Sequence, residues 1–316
     1  MLRERLLLQR IRRGSRKAAG VVQGIGDDCA ILQVPRGAQL LVTTDLCIEN
    51  VHFRRTWHPP ATVGHRCLAR GLSDIAAMGG EPLACFLSLG LPDKLPIAWV
   101  DGFLKGLNTL ARQFGIELAG GDTSSAPCIT ADITVTGHVP AGKAVLRSGA
   151  KPGDRIYVTG LLGASAASLQ QLYAGKKIRP AASNPHFYPQ PRVGVGRWLR
   201  QHGMPTAMID LSDGLSVDLS HICEESSVSA TITAEQIPVA QNADLKLALH
   251  GGEDYELLFT AGAGCRLPAV IAGVQITEIG VIGKLRNNSS AILILGENGR
   301  VSQLQQLGWE HFHKKR

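Results

Sequence analysis

The stretch PPATVGHRCLARGLSDIAAMGG, residues 59–80, decides the fold. Val63, Cys67, Leu68, Leu72, Ile75 and Ala76 recur at helical spacing and line one apolar face. Two prolines open the segment and Gly79-Gly80 stops it, so the pattern predicts one helix. The flanking segments have a different character. AQLLVTTDLCI (38–48) is β-branched and apolar, and PLACFLSLGLP (82–92) is an apolar run of strand length. A strand, a helix and a strand in succession predict an α/β unit.

The alternation continues outward. IAWVDGFLKGLNTLARQFG (97–115) reads as an amphipathic helix with a glycine stop, IELAGGDTS as a short strand running into a Gly-Gly turn, and ITADITVTGHV (129–139) as an alternating strand. A Gly-, Pro- and Lys-rich stretch at 140–150 then marks the best domain boundary. Beyond it come the strand RIYVTG, the helix GASAASLQQLYAG, a polar Pro-rich connection over 176–191, and the helix PRVGVGRWLRQHG. TAMIDLSDG reads as a strand into a turn, LSVDLSHICEESS as a helix, and EDYELLFTAG and ITEIGVIG as strands. The expected architecture is therefore α/β (α+β), with two α/β domains at 1–140 and 147–316. AGGDT (119–123) and HGGEDYE (250–256) also echo each other faintly, each placing Gly-Gly before an acid.

Composition narrows the class. With 316 residues, 44% of them hydrophobic, the chain can bury a sizeable core. No apolar run approaches the ~20 residues that span a bilayer. The N-terminal MLRERLLLQRIRRGSRK predicts a short amphipathic helix and a mobile basic loop; its apolar run is too short for a signal peptide. The expected location is cytoplasmic. Seven scattered cysteines form no CxxC pair, so buried free thiols are expected rather than structural zinc or a disulfide framework. The net charge of +7 admits nucleic acid as a partner, yet the basic runs are confined to the two termini (RRGSRK and HKKR) and no aromatics are interleaved with them. A phosphorylated small molecule explains diffuse basicity equally well.

The acids carry the chemistry. Asp27 and Asp28 in GIGDD, Asp45 in VTTD, Asp74 in GLSD, Asp122 in GGDT, Asp210 and Asp213 in IDLSDG, and Glu253 and Asp254 in GGED all sit in small or apolar surroundings. Singly, each is ordinary turn or cap chemistry. Jointly they imply cations, because two carboxylates about 4 Å apart repel by ~4 kcal/mol at an effective dielectric near 20. Hard oxygen ligands without a Cys/His cluster favour Mg²⁺ over zinc. Mg²⁺ completes its shell with water and substrate phosphates, which points to a nucleotide. No GxxxxGK[ST] loop, complete GxGxxG or kinase HRD/DFG set is present, so metal-bridged acids replace the familiar phosphate cradles.

GIGDDCAIL, TTDLCIENVHF, GLSDIAAMGG, GGDTSSAP, TGHVPAGKAVLRSGAKPGDRIYVTG, IDLSDGLSVDLSHI and HGGEDYELLF occur together and in this order. This ordered set resembles the thiamine-monophosphate kinase family, within a superfamily that includes aminoimidazole ribonucleotide synthetase, selenophosphate synthetase and a hydrogenase-maturation protein. The resemblance runs from about residue 20 to the C-terminus. It implies two α/β domains, with the N-terminal domains of two chains pairing in a homodimer. It also implies Mg-assisted, in-line transfer of the γ-phosphoryl of ATP to thiamine monophosphate, the last step of thiamine diphosphate biosynthesis. Neither a phosphoenzyme nor a dedicated catalytic base is expected, and neither nucleic acid nor membrane is an expected partner. By resemblance, the ligands of several Mg²⁺ ions are Asp28, Thr43, Thr44, Asp45, Asp74, Asp122, Asp210 and Asp213. Gly121, Asp122, Arg147 and Ser212 match nucleotide-contacting positions, and His52, Glu253 and Trp309 match positions around thiamine phosphate. The family's usual Gly-Glu-Phe segment before the first helix is replaced here by MLRERLLLQRIRR. Within GIGDD the resemblance places the ligand at Asp28. Adjacent side chains of an extended segment point to opposite faces, which leaves Asp27 to support the turn.

Overall fold

In the computed structural model, the strand expected at 38–48 forms over Ala38–Ile48, and period-two alternation governs it. Leu41, Thr43, Asp45 and Cys47 turn inward, whereas Leu40, Val42, Thr44 and Leu46 stay exposed. The structure describes residues 4–14, 17–285, 291–296 and 299–309. The basic C-terminal HKKR lies outside these residues, as does Ser15-Arg16 of the expected basic loop.

The chain divides into two compact units. The first comprises Met1–Ile75, Gly80–Lys143 and Lys177–Pro189; the second comprises Ala76–Gly79, Ala144–Lys176 and Gln190–Arg316. The first unit begins with α1 (Glu4–Gly14), β1 (Val21–Gln23) and β2 (Ile31–Leu32), then β3 (Ala38–Ile48), α2 (Pro60–Ala77), β4 (Glu81–Leu91), α3 (Ile97–Gln113), β5 (Glu117–Ser125) and β6 (Thr130–Pro140). Its main sheet has the order β3-β6-β4-β5, antiparallel except for the β4–β5 pair. The apolar stripe read from the sequence is the buried face of α2: Val63, Cys67, Leu68, Leu72 and Ala76 are fully buried and Ile75 almost so. Each such aliphatic side chain contributes roughly 1.5–3 kcal/mol. Two glycines set the approach of the helices. A Cβ on Gly64 would lie 1.9 Å from the carbonyl oxygen of Phe103, and one on Gly106 would lie 1.9 Å from that of Ala61. α2 and α3 therefore touch backbone to backbone.

One expectation in this unit is corrected. The Gly-Gly of GGDT is not a turn: β5 continues through Gly120 and Gly121, paired in parallel with β4 after a register shift at Ala119. The neighbouring strand supplies the hydrogen bonds that a turn would have left to solvent.

The second unit contains β7 (Arg155–Thr159), α4 (Ala164–Tyr173), α5 (Val193–Gln201), β8 (Pro205–Asp210), α6 (Leu215–Glu225), β9 (Val228–Thr233), α7 (Leu245–His250), β10 (Leu257–Ala261), β11 (Val270–Ile271), β12 (Val274–Lys284), β13 (Ile292–Leu295) and β14 (Val301–Gln303). The sheet order is β14-β13-β9-β12-β7-β10-β8, with β11 paired to β12; only β13–β9 is parallel. The fold thus sits on the α+β side of the expected class. Ile156, Val158, Ile209, Leu219, Ile222, Leu258, Ile279 and Ile282 form its buried core. The strand expected from Glu253 begins only at Leu257, because Glu253 and Tyr255 adopt φ of 65° and 51°. Left-handed residues break the extended ladder. β9, β13, β14 and α7 were not anticipated from the sequence.

Candidate active site

In the first unit the acids are displayed by regular elements. Thr43 and Asp45 share the inward face of β3, and Asp74 lies in the last turns of α2. The Thr43 hydroxyl donates to Asp74 Oδ2, joining strand to helix. Asp45 Oδ1 stands 3.6 Å from Arg70 Nε, an ion pair too long for a hydrogen bond. Asp45 Oδ2 is closed off from solvent and, among the described residues, accepts no hydrogen bond. Burial pushes the Asp45 carboxyl above its ordinary range; Arg70 opposes this, and Asp132 adds to it. An orphaned carboxylate oxygen is costly, and a cation would satisfy it.

Thr44 faces the other way. Its hydroxyl donates to Asp132 Oδ1 at 2.8 Å on the exposed face, so only its backbone oxygen remains for the site that Thr43 addresses. Asp28 and Asp122 are both exposed. Asp27 Oδ1 accepts from the Asp28 N–H at 2.9 Å, and Asp122 Oδ1 accepts from the Thr123 N–H at 2.8 Å. Gly121 has φ of 142°, and a Cβ there would lie 1.9 Å from the Leu87 carbonyl oxygen. The position therefore admits glycine alone. His52 is half-buried after β3, and its Nδ1 accepts the Ile48 N–H at 3.0 Å.

In the second unit the acids ride on turns. Asp210 ends β8 and is buried, while Ser212 and Asp213 follow in the bend before α6. The N–H groups of Asp213 and Gly214 both donate to Asp218 Oδ2, at 3.1 and 3.0 Å. Burial, reinforced by the charges of Asp210 and Asp213, pushes the Asp218 carboxyl well up. Among the described residues, Asp213, Asp218 and His221 form a group whose ligating atoms all lie within 4.8 Å of one another. The sequence reading passed over Asp218 and His221. Their i, i+3 spacing on a helix just past two acids was the signal that could have found them.

The GGED segment is held by its neighbours. Glu253 donates its N–H to the Ser212 carbonyl at 2.8 Å, and Tyr255 donates to that of Leu211 at 2.9 Å. Asp254 accepts from the Gly163 N–H at 2.7 Å, ahead of α4. Burial raises its carboxyl to about 7, against the pull of the Gly163 and Ser165 N–H groups. Trp309 is 45% exposed, and its backbone N–H donates to the Asp213 carbonyl at 3.0 Å. Arg147 is exposed, and its carbonyl accepts from Ser226 Oγ. Thus Thr43 meets Asp74 in one unit, while Asp213, Ser212, Glu253 and Trp309 are tied together through the backbone in the other.

Comparison with known proteins adds an independent line. Residues 26–139 match the N-terminal domain model of AIR synthase related proteins, and residues 151–293 match the C-terminal one. The chain is 37% identical over 309 residues to the thiamine-monophosphate kinase of Escherichia coli (strain K12), covering 92% of this chain and 91% of that one. The crystal structure of the thiamine-monophosphate kinase from Stenotrophomonas maltophilia K279a superposes with a TM-score of 0.81 at 34% identity, covering 93% of this chain and 96% of that one. AaThiL complexed with AMPPCP and TMP gives 0.78 at 29% identity, with 89% of each chain covered. By its two domain models and by identity along most of its length, the chain belongs to the thiamine-monophosphate kinase family of AIR synthase-related proteins.

Proposed function

We propose that the chain transfers the γ-phosphoryl group of ATP to thiamine monophosphate, yielding thiamine diphosphate and ADP. The observation that carries this is whole-length identity to thiamine-monophosphate kinases, joined to structural likeness to a relative holding AMPPCP and TMP. Phosphoryl transfer asks little covalent work of a protein; it needs in-line positioning and neutralised charge. The acceptor is already a phosphate anion, so no strong base is required.

The donor set fits Mg²⁺. It consists of hard oxygens, and among the described residues none donates a hydrogen bond to the buried Asp45 Oδ2. Thr43, Asp45 and Asp74 would hold the metal with Asp28, Asp122 and the Thr44 backbone oxygen, and Asp210 and Asp213 would serve in the second unit. When bound, Mg²⁺ neutralises phosphate charge and aligns the reacting oxygens. In our reading Gly121, Asp122, Ser212 and Arg147 receive the nucleotide, the last through the fork geometry of its guanidinium. His52, Glu253 and Trp309 receive thiamine phosphate, with the exposed indole suited to stack on a cationic ring.

A second copy of the chain is the expected partner. Leu40, Val42 and Leu46 are 47, 61 and 50% exposed along the outward face of β3, a row of apolar side chains on an edge strand. We place the protein in the cytoplasm. Seven free cysteines agree with a reducing compartment, and among the described residues no helix is long and apolar enough to cross a membrane.

A coupled assay tests the function. With Mg-ATP, ADP release is expected with thiamine monophosphate but not with free thiamine. Equal turnover of both, or of neither, overturns the reading.

A further inference from the structure

Arg66 lies on α2 with only 3% of its surface exposed. Its Nη2 donates to the carbonyl of His52 at 3.3 Å, and its Nη1 donates to the carbonyl of His186. One guanidinium thus joins the turn after β3 to the segment Lys177–Pro189, which belongs to the same unit. That segment is itself fastened to its surroundings. His186 Nε2 lies 3.1 Å from His58 Nε2, and neither ring is more than 2% exposed. His65, beside Arg66 on α2, meets the Pro189 carbonyl through Nε2 at 2.7 Å. Phe187 is fully buried and packs against both histidine rings.

The arrangement bears on His52. Because the Ile48 N–H occupies Nδ1, the neutral ring carries its proton at Nε2, where it is a donor suited to a phosphate oxygen. We propose that Arg66 is the positioning residue for His52, and that the His58–His186 pair holds the carbonyl against which Arg66 is braced. This rests on the reading that His52 contacts the phosphorylated substrate. The planar fork of arginine can hold two carbonyls at a fixed separation, which the point charge of lysine cannot. A small displacement of a binding group costs disproportionately in a preorganised site.

The brace also depends on protons. In an Nε2–Nε2 contact one ring donates and the other accepts, so a second proton sets two N–H groups against each other. The charged and titratable groups around the pair come from three elements. Arg66 and His65 come from α2. Arg54, whose backbone N–H and carbonyl lie 3.3 and 3.2 Å from His58 Nδ1, comes from the preceding turn, where Arg55 is paired with Glu49. Tyr188 follows in the segment itself, its ring edge-on to His65. Acid therefore loosens the brace.

The test is steady-state kinetics over a pH series for wild type and the variants R66M, R66K, H186Q and H52A, with melting temperatures recorded. R66M and H52A are each expected to raise KM for thiamine monophosphate about 10-fold, more than either lowers kcat or raises KM for ATP. R66K should fall between wild type and R66M. The double variant should be no worse than H52A alone, since both changes remove one function. H186Q keeps a polar tip that does not titrate, and should flatten the rise of KM towards acid pH. If H52A raises KM while R66M and R66K leave it unchanged, the positioning role is overturned. Full additivity of H52A and R66M overturns it too, as does an acid limb unaltered in H186Q. If H52A itself leaves KM unchanged, the substrate reading of His52 fails first and takes the proposal with it.

Discussion

GGDT at 120–123 and GGED at 251–254 carry the same Gly-Gly-acid pattern on unlike backbones. The first is paired strand: after a register shift at Ala119, Gly121 pairs with Leu87 and Asp122 with Ser88, and the missing Cβ lets β5 approach β4. The second is irregular. Its left-handed residues are Glu253 and Tyr255 rather than the glycines, and three backbone or carboxylate hydrogen bonds keep them there. Strain of roughly 1–3 kcal/mol per residue is held by the surrounding structure. One region thus places its acid by pairing with a neighbouring strand, the other by contacts to Leu211, Ser212 and Gly163.

The largest effect should come from the first region's acids. Asp122→Asn is expected to lower kcat about 10²–10³-fold, the scale of losing one preorganised electrostatic contact, with an unchanged melting temperature because the side chain is exposed. Asp45→Asn should cost as much activity yet raise the melting temperature, since burial already disfavours its charge. A lowered melting point for Asp45→Asn would show that the charge stabilises the fold, against the arrangement described above.

Next, Gly121→Ala should destabilise by about 3 kcal/mol or more, through a strained φ and a collision with the Leu87 carbonyl. Denaturant unfolding measures it. A loss below about 1 kcal/mol would mean that β5 can move away from β4, erasing the contrast with GGED.

Asp28→Asn should then reduce activity about 100-fold and Asp27→Asn no more than a few-fold, because Asp27 serves the Asp28 N–H. Equal losses, read in the same coupled assay, would undo the division of labour in GIGDD.

The smallest effect probes the second region. Asp254 titrates near 7 in the folded chain, far above an unfolded carboxyl. Between about pH 4 and 7 the folded state binds the extra proton, so stability is highest at the acid end and falls as pH rises through the folded value. Asp254→Asn keeps an oxygen for the Gly163 N–H without the charge. It should flatten that slope and gain roughly 2 kcal/mol at pH 8, as measured by chemical denaturation across pH. A slope that survives the substitution must originate elsewhere.

These contrasts mark what could be read in advance. The α2 stripe was legible because burial on one face of a helix imposes a period, and β3 was legible from its β-branched, apolar composition; the alternation that gives Thr43 and Asp45 a common face is seen only in the folded strand. The continuation of β5 through Gly-Gly was not legible, because a glycine pair marks a turn and a close strand contact alike until the neighbour is known. The late start of β10 was hidden for the same reason: nothing local marks Glu253 and Tyr255 as left-handed. Asp218, His221 and Arg66 went unread because their roles depend on partners in other segments.

The sequence by itself determined the order of strands and helices over most of the chain, the wealth of oxygen ligands and, through seven ordered motifs, the family. Local period and local composition encode these, and they need no knowledge of distant residues. The tertiary structure alone decided that Thr43 bonds Asp74 while Thr44 turns to Asp132, that Asp45 keeps an unsatisfied buried oxygen, and that Arg66 braces His52 against His186. The contacts among these join residues 14 to 120 positions apart, and only the packing of the folded chain brings such pairs within hydrogen-bonding range.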